Sequence, residues 1–299
     1  MNATGYKSGF FSIVGCPNVG KSTLLNRLVG QKIAIVTDRA QTTRNRITGI
    51  LTRKDYQMIF LDTPGMTKPR NKLGSFMQKT AEDASKDVEA ILLVVDAVRG
   101  VGERDADVMR IVRSERSPVI VLINKCDAAS AAQMQAAREA IAAAGFDTVL
   151  AISAETGENV DRLEQLLTRY LTEGPQYYPE DMVTDQPERV ICAEMIREKT
   201  LELLREEIPH GIGVGIDRIE TRPDGALTDV WATIYCERES HKGIIIGRGG
   251  KMLKRIGTEA RKDIEWLLGV RVNLQLWIKV KEDWRNRQQM LNELGYRDD

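Results

Sequence analysis

The chain has 299 residues, enough for two domains with cores of their own. Its 43 Lys and Arg residues balance its 43 Asp and Glu residues, so net charge singles out no class of partner. No stretch approaches about 18 uncharged apolar residues, the N-terminus lacks the apolar core of a signal peptide, and the four cysteines are far apart. These features argue against a membrane span, a zinc site and disulfides, and they favour a cytoplasmic protein.

The first half of the chain alternates apolar, strand-like runs with helical patterns. This alternation is typical of a mostly parallel sheet with helices on both faces. The runs lie at 10–14, 58–61, 90–95, 119–123 and 149–152, and helical patterns lie at 105–114, 130–144 and 160–171. We therefore predict an α/β domain over residues 1–174.

A glycine-rich loop follows the first run and opens onto a helical pattern. Its letters fit G-x-x-x-x-G-K-[ST], a loop that cradles phosphates with backbone N–H groups and a helix N-terminus. In this pattern Lys21 reaches the outer phosphates and the Ser22 hydroxyl ligates Mg²⁺. The alternative is a glycine-rich turn with a surface lysine. The predicted nucleotide contacts here are Gly15, Cys16, Pro17, Asn18, Val19, Gly20, Lys21, Ser22 and Thr23.

A second polar motif, Asp62-Thr63-Pro64-Gly65, ends the run at 58–61. An acidic side chain at the carboxyl end of a strand can hold Mg²⁺. Gly65 lets its backbone N–H approach a γ-phosphate, a contact that is lost on hydrolysis. Alone the tetrapeptide is an ordinary strand-end turn. Its place after the phosphate loop predicts that it and the following Met66 contact the nucleotide.

A third motif, Asn124-Lys125-Cys126-Asp127, follows the run at 119–123. The Asp127 carboxylate can accept two hydrogen bonds from guanine, and adenine lacks both donors on that edge. The Lys125 stem can lie along the base while Asn124 joins neighbouring loops. The alternative is a polar turn with a solvated ion pair. Ser153 and Ala154, after the run at 149–152, would then offer the Ala154 N–H to the guanine O6.

In order and spacing these four elements resemble those of the translation-factor-type GTPases. The resemblance implies that Gln41-Thr42-Thr43-Arg44 is the first switch segment, with Thr43, ahead of Thr42, as a Mg²⁺ ligand in the triphosphate state. From the residues alone, this segment is only a polar loop. The resemblance assigns catalysis to Lys21, Thr43, Asp62 and Gly65, and it assigns Mg²⁺ to Ser22, Thr43 and Asp62.

Two positions bear on the rate of hydrolysis. Met66 stands where small signalling GTPases carry the glutamine that orients the attacking water, and a methionine side chain cannot do so. We therefore expect slow, Mg²⁺-dependent intrinsic hydrolysis of GTP to GDP and phosphate. Asn18 stands where related GTPases bind K⁺, so K⁺ is a candidate cofactor. The alternative for Asn18 is a loop side chain that hydrogen-bonds its own backbone.

The second half of the chain has a different pattern. Residues 175–187 have the composition of a linker, and residues 188–299 predict an α+β domain. The predicted elements are a helix at 188–207, a hairpin of strands at 213–220 and 229–237, a helical piece at 243–246, a helix to 268, a strand at 270–280 and a helix at 283–294.

A basic G-x-x-G loop joins two of these helices. From Arg238 to Lys262 there are eight basic residues against two acidic ones, the footprint expected of RNA contact. The loop and the order of elements fit a type II KH module, which clamps an RNA backbone. The alternative is a solvated helix face with a glycine turn. The predicted RNA contacts are Lys242, Ile246, Gly247, Arg248, Gly249, Gly250, Lys251, Lys254 and Arg255.

Four tryptophans lie in the second domain. Trp231, Trp266 and Trp277 fall in strand or helix patterns, and we predict that they lie in the core and do not stack on bases. Trp284 belongs to an apolar stripe on the last helix, which we expect to pack on the domain.

A GTPase domain followed by a type II KH domain resembles the Era family over nearly the whole chain. The resemblance implies a GTPase that binds the 3′ region of 16S ribosomal RNA and assists assembly of the 30S subunit. It also implies a monomer in the cytoplasm, with peripheral attachment to the inner membrane. The alternatives are a GTPase of RNA modification or large-subunit assembly, and an RNA-binding protein with an inactive nucleotide domain.

Overall fold

The computed structural model describes residues 5–37, 39, 42–66, 69–204 and 211–297. These residues pack into two units, each with its own hydrophobic core. The N-terminal unit takes in the described residues of 1–34, 43–69 and 77–185, and the C-terminal unit those of 35–42, 70–76 and 186–299.

The N-terminal unit is built on a mostly parallel sheet in the order β2-β3-β1-β4-β5-β6. Strand β2 runs antiparallel to β3, and the short β7 pairs antiparallel with β1. The strands are β1 (Lys7–Gly15), β2 (Ile47–Thr52), β3 (Tyr56–Asp62), β4 (Ala90–Asp96), β5 (Val119–Asn124), β6 (Val149–Ala151) and β7 (Thr172–Glu173). The helices are α1 (Lys21–Val29), α3 (Glu103–Arg113), α4 (Ala131–Ala143) and α5 (Val160–Leu167), with a 3₁₀ turn at Thr168–Tyr170. Helix α2 (Lys72–Asp83) belongs to this unit only from Met77 onward.

The predicted mostly parallel α/β fold is confirmed. Strand β4 is buried along its whole length, as expected of a parallel strand with both faces covered. The register of the sheet aligns the carboxyl ends of β1, β4 and β5. Gly15 of β1 pairs with Val94 of β4, and Asp96 of β4 pairs with Asn124 of β5. Asp62 ends β3 beside Ile13. The phosphate loop and the two acidic motifs therefore meet at one edge of the sheet.

Strand β2 and helix α2 were not predicted. Strand β2 contains Gly49, a residue that usually weakens a strand signal. A Cβ at Gly49 would lie 2.4 Å from Leu25 Cδ1, so the glycine lets α1 pack closely on the sheet.

Much of the predicted linker packs on the N-terminal unit. Ile50 N, on β2, donates to Val183 O at 2.8 Å. The amides of Tyr177 and Tyr178 both donate to Gln57 Oε1, at 2.9 and 3.0 Å. The predicted linker as far as residue 185 therefore belongs to this unit, because backbone groups with no local partner pair with the sheet and its neighbours.

The C-terminal unit has a three-stranded sheet in which β9 lies between β8 and β10. Strand β9 is antiparallel to β8 and parallel to β10. The elements are α6 (Glu188–Leu204), β8 (Gly213–Thr221), β9 (Leu227–Cys236), α7 (Glu239–Ile246), a 3₁₀ turn (Arg248–Gly250), α8 (Lys251–Leu268), β10 (Arg271–Val280), a second 3₁₀ turn (Trp284–Asn286) and α9 (Gln288–Glu293). This order confirms the predicted type II KH arrangement; the end of the first predicted helix, 205–207, lies outside the described residues.

Two earlier stretches of chain pack in this unit. Val36 N donates to Glu198 Oε1 at 2.9 Å, and the buried Arg197 donates from Nη2 to the Thr42 carbonyl. Farther along, Lys72 N donates to Asn286 Oδ1 at 3.1 Å. Helix α6 therefore holds the stretch that directly precedes Thr43.

The predicted last helix is interrupted. Asp283 takes a left-handed φ of 51°, a 3₁₀ turn follows, and α9 begins only at Gln288. The interruption buries Trp284, whose Nε1 donates to Gly211 O at 3.0 Å. A buried indole needs a partner for its N–H, and this turn supplies one.

The prediction that Trp266 and Trp277 lie in the core is wrong. Trp266 is 59% exposed and Trp277 is 46% exposed, while Trp231 is half-buried. Helix α8 buries Ile256, Ala260 and Ile264, and position 266 falls on the opposite side of the helix. On β10, Trp277 and the buried Val272 are an odd number of residues apart, so their side chains lie on opposite faces of the strand.

Candidate functional site

Strand β1 runs into the glycine-rich loop, and two of its glycines have no room for a side chain. A Cβ at Gly15 would lie 2.5 Å from Val94 O, and one at Gly20 would lie 2.2 Å from Asn124 Nδ2. Gly20 also takes a left-handed φ of 98° where α1 begins. The sequence needs glycine at these two positions, because the loop passes against two neighbouring strands.

Lys21 lies inside the phosphate loop. Its side chain is 6% exposed, and Nζ donates to Gly15 O at 3.2 Å and to Cys16 O at 3.0 Å. Burial lowers the pKa of Lys21, although the Asp62 carboxylate opposes that effect. The loop therefore holds a cation that few protein groups neutralise, and an anion placed there would relieve the cost of burying it.

Three oxygen-bearing side chains converge beside the loop. Ser22 Oγ donates to Asp62 Oδ2 at 2.6 Å and lies 2.9 Å from Thr43 Oγ1. Thr43 Oγ1 lies 3.4 Å from the same carboxylate oxygen. The other oxygen, Asp62 Oδ1, is buried without a hydrogen-bond partner among the described residues, and burial raises the pKa of Asp62 to about 6.

This set of donors fits Mg²⁺. The ion prefers hard oxygen ligands and is usually bound through one or two carboxylates with several waters. Two hydroxyls and a carboxylate with an unpartnered oxygen supply that chemistry at the mouth of the phosphate loop. Ser22, Thr43 and Asp62 are therefore the residues that can hold the ion.

The two threonines of the predicted switch segment have different surroundings. Thr43 is buried beside Ser22 and Asp62. Thr42 Oγ1 instead lies 2.8 Å from Thr37 Oγ1 and donates to Arg39 O at 2.6 Å. This geometry favours Thr43 as the ligand. Gln41, in the same predicted segment, lies outside the described residues.

The stretch after Asp62 lies against the phosphate loop. A Cβ at Gly65 would lie 2.8 Å from Pro17 N, and Met66 N donates to Gly15 O at 3.3 Å. The Met66 side chain is 8% exposed and belongs to the apolar core of the N-terminal unit. Position 66 therefore contributes its backbone to this site, and its side chain packs inward.

Asn124 connects two loops of the predicted base site. Its Nδ2 donates to Val19 O at 2.7 Å, and its Oδ1 accepts from Ala154 N at 2.9 Å. The Ala154 N–H expected at the guanine O6 thus already has a partner within the protein. Beside them Ser153 is fully buried, while the Asp127 carboxylate is exposed.

Residues that the motifs did not reveal hold these groups in place. Asp96 Oδ2 lies 2.6 Å from Lys125 Nζ, which also donates to Asn18 O at 3.3 Å. Arg27 Nε donates to Ala154 O at 3.2 Å. These contacts join residues that are far apart in the sequence, so no local pattern could identify them. The one available sign was that Asp96 directly follows a predicted strand, where ligand-binding residues of such sheets lie.

A groove of about 370 Å³ lies between α8 and β10 in the C-terminal unit. Leucines from both elements contribute apolar surface, and polar and basic side chains stand beside them. It is lined by Gly250, Leu253, Lys254, Gly257, Thr258, Arg261, Asn273, Leu274 and Leu276. The sequence predicted only Gly250 and Lys254 of this set, because β10 meets α8 through folding and not through adjacency in the chain.

The G-x-x-G loop stands at the head of the groove. A Cβ at Gly247 would lie 2.7 Å from Met252 Cβ, whereas one at Gly249 or Gly250 would meet no atom within 4 Å. The loop therefore offers open backbone to a ligand. The other predicted RNA contacts divide by burial: Arg248, Lys251, Lys254 and Arg255 are exposed, and Lys242 and Ile246 are half-buried outside the groove lining.

Two family models match the chain. One, described as a 50S ribosome-binding GTPase, matches residues 10–125, and a KH domain model matches residues 207–285. GTPase Era of Clostridioides difficile (strain 630) is 52% identical over 98% of this chain and 99% of that protein. GTPase Era of Alkaliphilus oremlandii (strain OhILAs) is 50% identical over 97% of this chain and 99% of that protein.

Two crystal structures are similar to this chain along 97% of its length and 99% of theirs. One is Era in complex with MgGDPNP and nucleotides 1506–1542 of 16S ribosomal RNA, at 39% identity and a TM-score of 0.93. The other is a variant of Aquifex aeolicus Era bound to GDP and AlF4⁻, at 40% identity and a TM-score of 0.92. Both halves of the chain therefore have a counterpart in one solved protein.

Proposed function

Because the chain belongs to the Era family of GTPases, we propose that it binds the 3′ region of 16S ribosomal RNA and assists assembly of the 30S subunit. The observation that carries the proposal is the pairing of a nucleotide site with an open G-x-x-G groove in one chain. The similar Era structure holds a Mg²⁺-bound GTP analogue and nucleotides of 16S ribosomal RNA together. The predicted family and two-domain fold are confirmed.

Hydrolysis by this chain depends on positioning and charge. Lys21 would bind the outer phosphates, and Ser22, Thr43 and Asp62 would hold Mg²⁺. The ion, when bound, neutralises charge that develops on the phosphates. The Gly65 N–H would contact the γ-phosphate, and no side chain would fit at this position beside Pro17. Since Met66 packs in the core, no side chain at that position orients the attacking water, and turnover is slow.

Loss of the γ-phosphate gives the switch its physical basis. Thr43 and Gly65 are the residues whose contacts depend on that phosphate or on the ion beside it. Their segments therefore have a different set of partners before and after hydrolysis. This supports a protein whose RNA binding follows its nucleotide state.

We also propose that K⁺ stimulates hydrolysis through Asn18. This side chain is exposed on the phosphate loop, held by a left-handed backbone with φ of 63°. We expect GTP hydrolysis to be several-fold faster in K⁺ than in Na⁺ at equal ionic strength, measured as phosphate release. Asn18→Ala should abolish that difference, whereas Asn159→Ala, at another left-handed position (φ 60°), should preserve it. Equal rates of the unaltered protein in the two salts would disprove the proposal.

The RNA proposal predicts a specific effect at the G-x-x-G loop. Gly249→Asp places a negative charge where an RNA backbone would pass, so we expect at least about 10-fold weaker RNA binding. Gly225→Asp is the matched control, because its backbone is equally left-handed (φ 68° against 57°) and equally open, and it lies in the turn between β8 and β9. Both positions are left-handed glycines, and only the first stands in the G-x-x-G loop. The measurement is crosslinking in cells followed by sequencing of the bound RNA, with affinity measured on purified protein.

The recovered RNA decides between this proposal and its alternatives. We expect reads from the 3′ region of 16S ribosomal RNA, depleted in Gly249→Asp and retained in Gly225→Asp. Recovery of only large-subunit RNA would favour a GTPase of large-subunit assembly. A protein that binds RNA but hydrolyses GTP no faster than its Asp62→Ala variant would have an inactive nucleotide domain.

We also propose a cytoplasmic location, which the proposed ribosomal role supports. In the described part of the chain, no helix is long and apolar enough to cross a bilayer. A monomeric state and peripheral attachment to the inner membrane, both implied by the family, stay predictions.

A further inference from the structure

The solvent side of helix α8 carries an exposed row of side chains that begins next to the G-x-x-G loop. Successive members are 4, 7 and 4 residues apart, and these spacings place all of them within an arc of about 60° around the helix axis. At 1.5 Å per residue the row extends about 22 Å from the loop. We call it the α8 row; it consists of Lys251, Arg255, Lys262 and Trp266.

The α8 row is basic along most of its length. In the part of the chain that the structure describes, neither Lys251 nor Arg255 has an ion-pair partner. Lys262 lies 2.9 Å from Glu259, an exposed pair that solvent weakens. The row therefore presents positive charge that the protein itself neutralises only in part, which favours a polyanion as its ligand.

Trp266 closes the row at the end far from the loop. It is 59% exposed, the largest exposed fraction among the bulky apolar side chains that the structure describes. An indole in contact with water is unfavourable unless something covers it. Every nucleic-acid base has a flat face that stacks on an aromatic ring whatever its sequence, so a row of cations that ends in an indole suits a single strand.

The row is continuous with the groove. Gly250 lines the groove and Lys251 begins both α8 and the row, so a strand clamped by the loop lies next to the first cation. The groove side of the same helix presents Lys254 and Arg261. A KH groove holds about four nucleotides, so a longer strand must leave it at one end.

We propose that single-stranded RNA held in the groove continues along the α8 row, its phosphates against Lys251, Arg255 and Lys262 and one base stacked on Trp266. The inference rests on the proposed RNA binding and extends it to a second contact. The site lengthens the bound segment beyond what the groove can hold. Since any base can stack on an indole, this part of the site adds affinity without adding sequence specificity.

The test compares a short RNA with extended ones. The short RNA has about six nucleotides and covers the groove; the extended RNAs add about six more at the 5′ or the 3′ side. We expect Trp266→Ala to lower the affinity for one of the two extended RNAs about 5- to 10-fold and to change the affinity for the short RNA by less than about 2-fold. Trp266→Phe should keep most of the affinity, and Lys262→Gln should weaken the same extended RNA.

Trp277→Ala is the matched control, since Trp277 is also exposed but lies on β10 and outside the row. The inference is overturned if Trp266→Ala affects short and extended RNAs alike, affects neither, or is matched by Trp277→Ala. If the unaltered protein binds no short RNA, the proposed function fails and the inference fails with it. Thermal unfolding of each variant checks that the domain is intact.

Discussion

Replacing Asp127 with asparagine should weaken GTP binding by more than about 100-fold and create binding of xanthosine triphosphate. The Asp127 carboxylate is exposed at the carboxyl end of β5, free to accept the N1–H and the exocyclic amine of guanine. Hydrogen bonds to a charged group are worth about 1.5–3 kcal/mol each, so the loss of two accounts for that factor. Xanthine carries a carbonyl in place of the amine, and an asparagine amide can donate to it.

The measurement is a titration of each nucleotide with a fluorescent GDP analogue as competitor, together with hydrolysis of both triphosphates. Asp147→Asn is the control, an exposed carboxylate of the same unit that lies outside the motifs. Because Asp127 is exposed, its replacement should leave the unfolding temperature unchanged. A change in GTP affinity of less than about 3-fold would show that another group recognises the base, and the guanine assignment would then be withdrawn.

Replacing Lys21 with methionine should lower GTP hydrolysis by at least about 100-fold while leaving the nucleotide-free protein folded. Removal of one preorganised donor to a developing negative charge typically costs that much. Burial already lowers the pKa of Lys21, so the charged form is less favoured there than in water. A side chain of similar length without the charge should therefore cost the free protein little stability.

Thermal unfolding with and without GDP and Mg²⁺ separates these two effects. A ligand at 100 times its Kd stabilises a protein by about 2.7 kcal/mol, and a 100-fold weaker ligand leaves about 0.4 kcal/mol. We expect the unaltered protein and Lys54→Met, an exposed control, to show the full shift, and Lys21→Met to show almost none. A normal ligand shift in Lys21→Met would mean that this lysine does not bind phosphate.

The chemistry of the nucleotide site could be predicted from sequence because each motif is local. A strand end, a turn and a helix start keep their residues together in the chain, so Lys21, Ser22, Asp62 and Asp127 can be proposed from motifs and their order in the chain. Choosing Thr43 over Thr42 from the residues was not possible. That difference depends on Ser22 and Asp62, which reach Thr43 only through folding.

What sequence could not predict depends on long-range packing. The groove draws Asn273, Leu274 and Leu276 from β10, and periodicity shows which side of a strand is apolar but not what lies against it. Residues 175–187 have the composition of a linker because they are polar and rich in proline. Their backbone nevertheless bonds to Gln57 and to β2, which composition does not reveal.

The burial of Met66 has a consequence for protein engineering. Since its side chain belongs to the apolar core and only its backbone reaches the phosphate loop, a glutamine introduced there would start from an inward-facing position. Its amide would need a partner in that core or would force the loop to rearrange. Copying the glutamine of the small signalling GTPases would thus exchange packing for an unsatisfied amide. A rapid version of this GTPase requires redesign of the loop together with the core beneath it.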